Sequence, residues 1–143
     1  MSPVEVSENI EPDENLGRGG FSGSHAKRAG RSRIPHHVFL EKPGETKISV
    51  DRVSVAPLSA ATAIAEKTAA ARNANFYGWA TVVAKQAGTN GRQVVSSPLP
   101  EQDNPYHADI LLPVLPGSAE ESREEQKRHA QELADYSRWR EKS

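Results

Sequence analysis

Short runs of β-branched and aromatic residues recur along the middle of this chain, and they constrain its fold more than any other feature. Such residues favour a pleated, half-buried surface, and Pro, Gly, Asn and Asp punctuate the connections. We therefore expect a sheet of about five strands, with a hairpin at the Pro43-Gly44 turn between the first two. The five runs are IPHHVFL (34–40), KISVDRVSV (47–55), NFYGWATVVAK (75–85), RQVVSS (92–97) and YHADILL (106–112).

Two further segments carry helical signals. Residues 58–73 follow Pro57 and are rich in alanine, the strongest helix former, with a narrow apolar stripe of small side chains. Residues 118–141 begin with Ser118 and Glu121 at capping-box spacing. The order β-β-α-β-β-β-α predicts an α+β fold with a small mixed or antiparallel sheet and two helices.

The first 33 residues differ from the rest of the chain. Acidic residues come first, basic residues follow, and large apolar side chains are scarce among glycines and serines. Burial of so little apolar surface cannot offset the entropy lost on ordering the backbone. We expect residues 1–33 to form a disordered acidic-then-basic tail. Residues 34–143 are then a single compact domain that ends in a long charged helix, 118–141.

Composition excludes several functional classes. The formal net charge is −1, so no global field steers the chain toward nucleic acid or an anionic membrane. Cysteine is absent, which excludes disulfides and thiolate chemistry. The most apolar segment, 108–117, is interrupted by Pro113 and Pro116 and is too short to span a membrane. We expect a cytoplasmic protein with no membrane contact, no metal and no cofactor.

The stretch NPYHADILLP (104–113) contains the pair of residues best suited to chemistry. His107 and Asp109 are two apart in a predicted strand, so they project from the same face, where an imidazole beside a carboxylate is a usable acid–base pair. Asp51 and Arg52 lie on another predicted strand and could converge on them. The alternative is structural, with His107 bonded to the preceding DNP turn and Asp109 facing water or an arginine.

The segment GRGGFSG (17–23) resembles the arginine-glycine segments of RNA-binding tails. Together with HAKRAGRSR (25–33) it predicts a flexible cationic arm that neutralises phosphates. The alternative is a solubilising tail, because the preceding acids can fold back on the arm. The candidate nucleic-acid-binding residues are Arg18, Lys27, Arg28, Arg31 and Arg33.

Three residues near the end of the last predicted helix are candidate partner-binding residues. Tyr136 and Trp139 are aromatic and lie close to Arg138, a combination that is typical of interface anchors. The alternative is that these side chains cover the protein's own sheet. The terminal helix therefore docks either on its own domain or on a partner.

These features leave three functions open. The leading expectation is a non-catalytic accessory or adaptor protein that binds a protein partner, or a second copy of itself, in a nucleic-acid-handling or defence assembly.

The first alternative is a small enzyme of the toxin or defence kind that acts on RNA or a nucleotide. In it, His107 is the general acid or base. Asp109 or Asp51 orients the ring, while Arg52 or Arg33 binds the phosphate. The second alternative is an antitoxin or immunity protein. A deep pocket where a histidine, an acid and an arginine meet would favour the enzyme.

Overall fold

The structure, a computed structural model, describes residues 6–21 and 34–141. In them, one sheet comprises the strands β1 (Asn15–Gly20), β2 (Lys47–Arg52), β3 (Gly78–Val83), β4 (Gln93–Ser96), β5 (His107–Leu111) and β6 (Arg138–Glu141). The helices are α1 (Leu58–Ala71), α2 (Ala84–Ala87) and α3 (Ala119–Tyr136), and short 3-10 helices cover His36–Phe39 and Pro100–Gln102. Within the described ranges, no helix has the length and apolar character needed to cross a bilayer.

The sheet has the order β4-β5-β2-β1-β3-β6, and every neighbouring pair is antiparallel. The predicted α+β class is therefore confirmed. Four of the five predicted strands and both predicted helices are present, although the second helix is shorter than expected. At the start of α3, Ser118 Oγ accepts a hydrogen bond from the amide of Glu121 at 3.1 Å, as the capping box requires.

The first predicted strand, residues 34–40, is wrong, and so is the predicted hairpin. His36–Phe39 form a single 3-10 turn, in which the amide of Val38 donates to the carbonyl of Pro35 at 3.2 Å. Val38 and Phe39 are consecutive and both buried, whereas successive side chains of a strand point to opposite faces. The tighter turn brings both side chains into one cluster, and the turn packs against α3.

The predicted disorder of the N-terminal tail is wrong for Asn15–Gly20, which form β1 between β2 and β3. The small residues that indicated disorder are the ones that allow a central strand here. A Cβ atom on Gly17 would lie 2.7 Å from Cγ1 of Val53 and 2.9 Å from Cδ1 of Trp79, so only glycine fits beneath these side chains. Leu16, which is fully buried, fixes the strand in the core.

The last predicted helix ends earlier than residue 141. α3 ends at Tyr136, and the chain then forms β6, an edge strand paired with β3. The reason is Trp139, whose ring lies over the backbone of Gly20 and Gly78, where an added Cβ would come within 2.6 and 2.8 Å of it. The strand conformation lets this indole cover apolar surface of the sheet, which stabilises β6.

Each face of the sheet carries its own hydrophobic cluster. One face packs against α3 and the 3-10 turn, and its cluster includes Leu16, Phe39 and Leu133. The other face lies beneath α1 and includes Phe76 and Trp79. The buried side chains of α1 are all alanines, so this helix fills little of the space above the sheet. A cavity remains near its C-terminal half.

Candidate active site

A cavity of about 260 Å³ lies between the C-terminal half of α1 and the face of the sheet beneath it. Residues of β1, β2 and β5 form its base, and the loop between β4 and β5 closes one side. Its volume is just below the usual range for ligand pockets, so it suits a small group or one segment of a larger ligand. The charged, imidazole and amide side chains that line it are Arg18, Asp51, Arg72, Gln102, Asn104 and His107.

Asp51 and His107 face the cavity from neighbouring strands. They lie directly opposite each other in the register of β2 and β5, where cross-strand Cβ atoms are about 4.5–5.5 Å apart. Asn104 Nδ2 donates a hydrogen bond to Asp51 Oδ1 at 2.8 Å. Burial raises the pKa of Asp51, although this hydrogen bond and the nearby His107 and Arg18 act in the opposite direction. The carboxyl group therefore keeps its proton to a higher pH than an exposed aspartate does.

The orientation of His107 is fixed by Ser97, which follows β4. The ring Nδ1 lies 2.9 Å from the carbonyl oxygen of Ser97 and 2.9 Å from its Oγ. Because a carbonyl oxygen can only accept a hydrogen bond, Nδ1 carries the proton in this arrangement. In the neutral ring, Nε2 is then the unprotonated nitrogen and the available base. The contact to Ser97 takes the place of the expected bond to the DNP turn.

Arg18 follows Gly17 in β1, so its side chain starts on the face of Leu16, opposite Asp51. It lines the cavity where β1 and β2, which pair at only two positions, separate. Its Nε donates to the carbonyl of Val38 at 3.0 Å, and its Nη1 donates to the carbonyl of Ser49 at 2.8 Å. Nη2 forms an ion pair with Glu41. Burial lowers the pKa of Arg18, and the charge of Glu41 opposes this change. These bonds use three of the five N–H groups, so a firmly held cation with further donors lines the cavity.

Arg72 is the second cation of the cavity and follows the last residue of α1. Its guanidinium carbon lies 5.0 Å from the centre of the Phe21 ring, which is a cation–π contact. The side chain is exposed, and no residue in the described ranges forms a salt bridge with it. Its charge is therefore available to an anionic ligand.

Arg52 and Asp109, two of the predicted catalytic residues, lie away from the cavity lining. Arg52 points to the face opposite Asp51, is 1% exposed and bonds both carboxylate oxygens of Glu14. Asp109 is on the same face as His107, two positions further along β5. The structure thus brings His107 together with Asp51, and with arginines other than Arg52.

The predicted nucleic-acid-binding residues divide into two groups. Arg18 is part of β1 and of the cavity, so it does not belong to a flexible arm. Lys27, Arg28, Arg31 and Arg33 lie outside the described residues. Nucleic-acid binding by these four side chains stays a prediction.

The predicted partner-binding residues are also separated by the structure. Trp139 is partly buried and packs against the core cluster of the protein itself. Tyr136 is 39% exposed at the end of α3, and Arg138 is exposed at the start of β6. Binding of a partner by these residues stays a prediction.

Three polar residues of the cavity are absent from the predicted site, and a fourth was predicted elsewhere. Gln102 and Asn104 lie in the irregular, proline-rich connection before β5, and Arg72 carries no signal, because a basic residue at the end of a helix is common. Arg18 was assigned to the arm, yet glycine on both sides of it was a usable signal. Glycine inside a strand often marks a place where other groups approach the backbone closely.

Comparison with protein-family models, with curated proteins and with solved structures gives no significant match to this chain. In the part of the chain that the structure describes, no group of three or more His, Asp or Glu side chains is arranged to hold a metal ion. The chemistry of the cavity therefore has to be argued from its own residues, which provide an acid–base pair and two cations.

Proposed function

We propose that this protein is a small acid–base enzyme that acts on a phosphate-bearing substrate of the nucleotide or RNA class. The observation that carries the proposal is the convergence of His107, Asp51, Arg18 and Arg72 on one cavity. A titratable group with a shifted pKa, next to a specific charge partner in a cleft, is an arrangement that catalytic sites use.

His107 and Asp51 move protons in this proposal. His107 Nε2 is the base, because Ser97 holds the proton on the other ring nitrogen. Asp51 is held by Asn104, and burial raises its pKa, which favours the protonated form that a proton donor needs. Positioned proton transfer of this kind typically accelerates a reaction by about 10²–10⁴-fold.

The two arginines bind the phosphate. A guanidinium group offers N–H donors in a fixed planar arrangement that matches phosphate oxygens. Arg18 is already ordered by its bonds to Val38, Ser49 and Glu41, so it loses little freedom when the ligand binds. Arg72 is exposed at the edge of the cavity and contacts the outer part of the ligand.

The non-catalytic adaptor remains a second candidate because of one observation at the end of the chain. β6 is an edge strand, its first residue Arg138 is exposed, and Tyr136 is exposed just before it. An unpaired edge is a template for strand addition by another chain. Light scattering on the wild type and on Tyr136→Ala tests this candidate, and a monomer in both would remove the support for self-association.

The enzyme is tested with His107→Asn. The asparagine amide can still donate to the carbonyl of Ser97, but it has no group in the place of Nε2. Turnover would be measured on p-nitrophenyl phosphate, a set of 5′-nucleotides and an RNA oligonucleotide. We expect His107→Asn to lower the rate by about 10²-fold or more with an unchanged thermal unfolding temperature.

Phosphate binding is tested with Arg72→Gln and a matched control. Calorimetry with inorganic phosphate should show weaker binding for Arg72→Gln. Arg128→Gln should bind like the wild type, because Arg128 is 53% exposed on α3, beyond the opposite face of the sheet. The proposed function would be overturned if the wild type turned over no substrate in the set and bound no phosphate.

A further inference from the structure

The acid–base pair of the cavity comes from two neighbouring strands. Two proton-transfer groups therefore lie side by side in the cavity lining. His107 is on β5 and Asp51 is directly opposite it on β2. In an in-line displacement at phosphorus, the attacking and leaving oxygens lie on opposite sides of the phosphorus atom. One group can therefore serve each oxygen if the phosphate lies across the two strands, toward Arg18.

We infer that the substrate is an RNA phosphodiester, which this site cleaves by using the neighbouring 2′-hydroxyl of the RNA as the nucleophile. The inference rests on the proposed function and narrows its substrate class. The side chains that line the cavity can accept a proton, donate a proton and bind negative charge. These three capacities are sufficient when the substrate itself carries the attacking hydroxyl.

The reaction balances with the groups present. His107 Nε2 accepts the proton of the 2′-hydroxyl, the O2′–P bond forms and the P–O5′ bond breaks. The departing O5′ takes the proton of the Asp51 carboxyl. The products are a 2′,3′-cyclic phosphate and a free 5′-hydroxyl, and transfer of the proton from His107 to Asp51 through solvent restores the starting state.

Asp51 is suited to the donor role by its contacts. Asn104 donates to Oδ1 at 2.8 Å, which leaves Oδ2 to carry the proton. Burial raises the pKa of this carboxyl and favours the protonated form. The positive charge of Arg18, which also lines the cavity, acts on Asp51 and favours negative charge on a phosphate bound beside it.

The size of the cavity agrees with one phosphodiester rather than a whole oligonucleotide. About 260 Å³ accommodates the scissile phosphate with its adjoining ribose. Arg72 and Gln102 line the cavity and are exposed, so the rest of the strand can continue outward past them. Arg72 can then pair with the next phosphate along the strand.

The first experiment compares three oligonucleotides of one sequence: RNA, DNA with a single ribonucleotide, and fully 2′-O-methylated RNA. We expect RNA to be cleaved throughout and the chimaera only after its ribonucleotide, with 2′,3′-cyclic phosphate ends identified by mass spectrometry. The 2′-O-methyl strand should bind with similar affinity by fluorescence anisotropy and remain intact. His107→Asn purified in the same way controls for contaminating nucleases.

The second experiment assigns the proton donor. An RNA whose scissile 5′ oxygen is replaced by sulfur has a leaving group that needs no proton. We expect Asp51→Asn to lower cleavage of the ordinary RNA by about 10²-fold or more and to cleave the sulfur-substituted RNA at nearly the wild-type rate. His107→Asn should remain slow on both, and a loss of structure in Asp51→Asn would slow both substrates equally.

The outcomes separate this inference from the proposed function. Equal cleavage of the 2′-O-methyl strand, or turnover of p-nitrophenyl phosphate or 5′-nucleotides without cleavage of RNA, would overturn the RNA inference and leave the proposed function standing. Absence of turnover on every substrate, together with absence of phosphate binding, would remove both. If the sulfur-substituted RNA did not restore the cleavage rate of Asp51→Asn, the assignment of Asp51 as the proton donor would be overturned.

Discussion

Arg52 and Glu14 form a two-point ion pair in the protein interior, with Nε to Oε1 at 2.8 Å and Nη2 to Oε2 at 2.9 Å. Burial by itself would raise the pKa of Glu14, but the hydrogen bond and charge of Arg52, with the backbone bond of Glu11, hold that pKa below its usual value. Arg52 also donates to the carbonyls of Ser7 and Asn9. A residue of β2 thus fixes the segment that leads into β1.

We expect Arg52→Met to lower the free energy of unfolding by about 3–5 kcal/mol, because it leaves the buried carboxylate of Glu14 without a charge partner. Urea denaturation at neutral pH measures the change. Arg52→Met with Glu14→Leu should recover part of the loss, because both charges are then gone. Arg128→Met, at an exposed pair, should change stability by less than about 1 kcal/mol. If Arg52→Met instead kept full stability but lost turnover, Arg52 would have the catalytic role that the sequence predicts.

His129 is the second buried polar group whose contacts define its protonation. Arg92 Nη1 lies 2.8 Å from Nδ1, and because a guanidinium only donates, Nδ1 must accept. The ring is fully buried, and its Nε2 has no hydrogen-bond partner. Burial lowers the pKa of His129, as do the charges of Arg92 and Arg128, while Glu125 and Glu132 oppose them. The folded protein therefore favours the neutral form of this ring.

This neutral ring makes stability depend on pH. The folded pKa of His129 lies below its value in the unfolded chain, so the unfolded chain binds more protons between the two values. The stabilisation is fully present above the unfolded value, about 6.5, and is lost as the pH falls through it toward the folded value. Urea denaturation at pH 8 and pH 5.5 should show a lower free energy of unfolding at pH 5.5.

His129→Asn is the control for this pH dependence. The asparagine oxygen can accept from Arg92 in the place of Nδ1 and does not titrate. We expect a variant of lower overall stability whose free energy of unfolding changes less between pH 8 and pH 5.5 than that of the wild type. An unchanged difference between the two pH values would assign the dependence to other groups.

The parts of the fold that the sequence predicts are those with a local signal. β2 to β5 and α1 are marked by β-branched residues, alanine and turn residues, and the start of α3 is marked by Ser118 and Glu121. β1 has no such signal, because Gly17 and Gly20 become strand residues only through Trp79 and Trp139, which lie far along the chain. A local sequence pattern does not predict contacts between residues so far apart in the chain.

The candidate site also has a part that the sequence predicts and a part that it does not. The approach of His107 to Asp51 could be anticipated, since both lie on strands with strong local signals. The arginine that joins them could not, because Arg18 and Arg52 both start on the face opposite Asp51, and only Arg18 lies where β1 and β2 separate and lines the cavity. Arg72 joins them only through the packing of α1 on the sheet.

Gly17→Ala tests the close packing of β1 beneath Trp79. The added Cβ would lie 2.7 Å from Cγ1 of Val53 and 2.9 Å from Cδ1 of Trp79, and both side chains are buried. We expect a loss of about 1–3 kcal/mol in the free energy of unfolding, with lower turnover because Trp79 lines the cavity. Gly117→Ala is the matched control, since no atom lies within 4 Å of its added Cβ, and an equal loss there would contradict the packing account.

Trp139→Ala distinguishes an indole that covers its own sheet from one that anchors a partner. Trp139 lies on Gly20 and Gly78 and is partly buried, so its removal should lower the free energy of unfolding by about 2–3 kcal/mol, less than for a fully buried tryptophan. Tyr136→Ala, at a side chain 39% exposed, should lower it by less than about 1 kcal/mol. Urea denaturation and light scattering would be run on both variants. If Trp139→Ala kept full stability and changed only the state of association, the indole would be an interface anchor, and β6 would owe its pairing with β3 to the backbone alone.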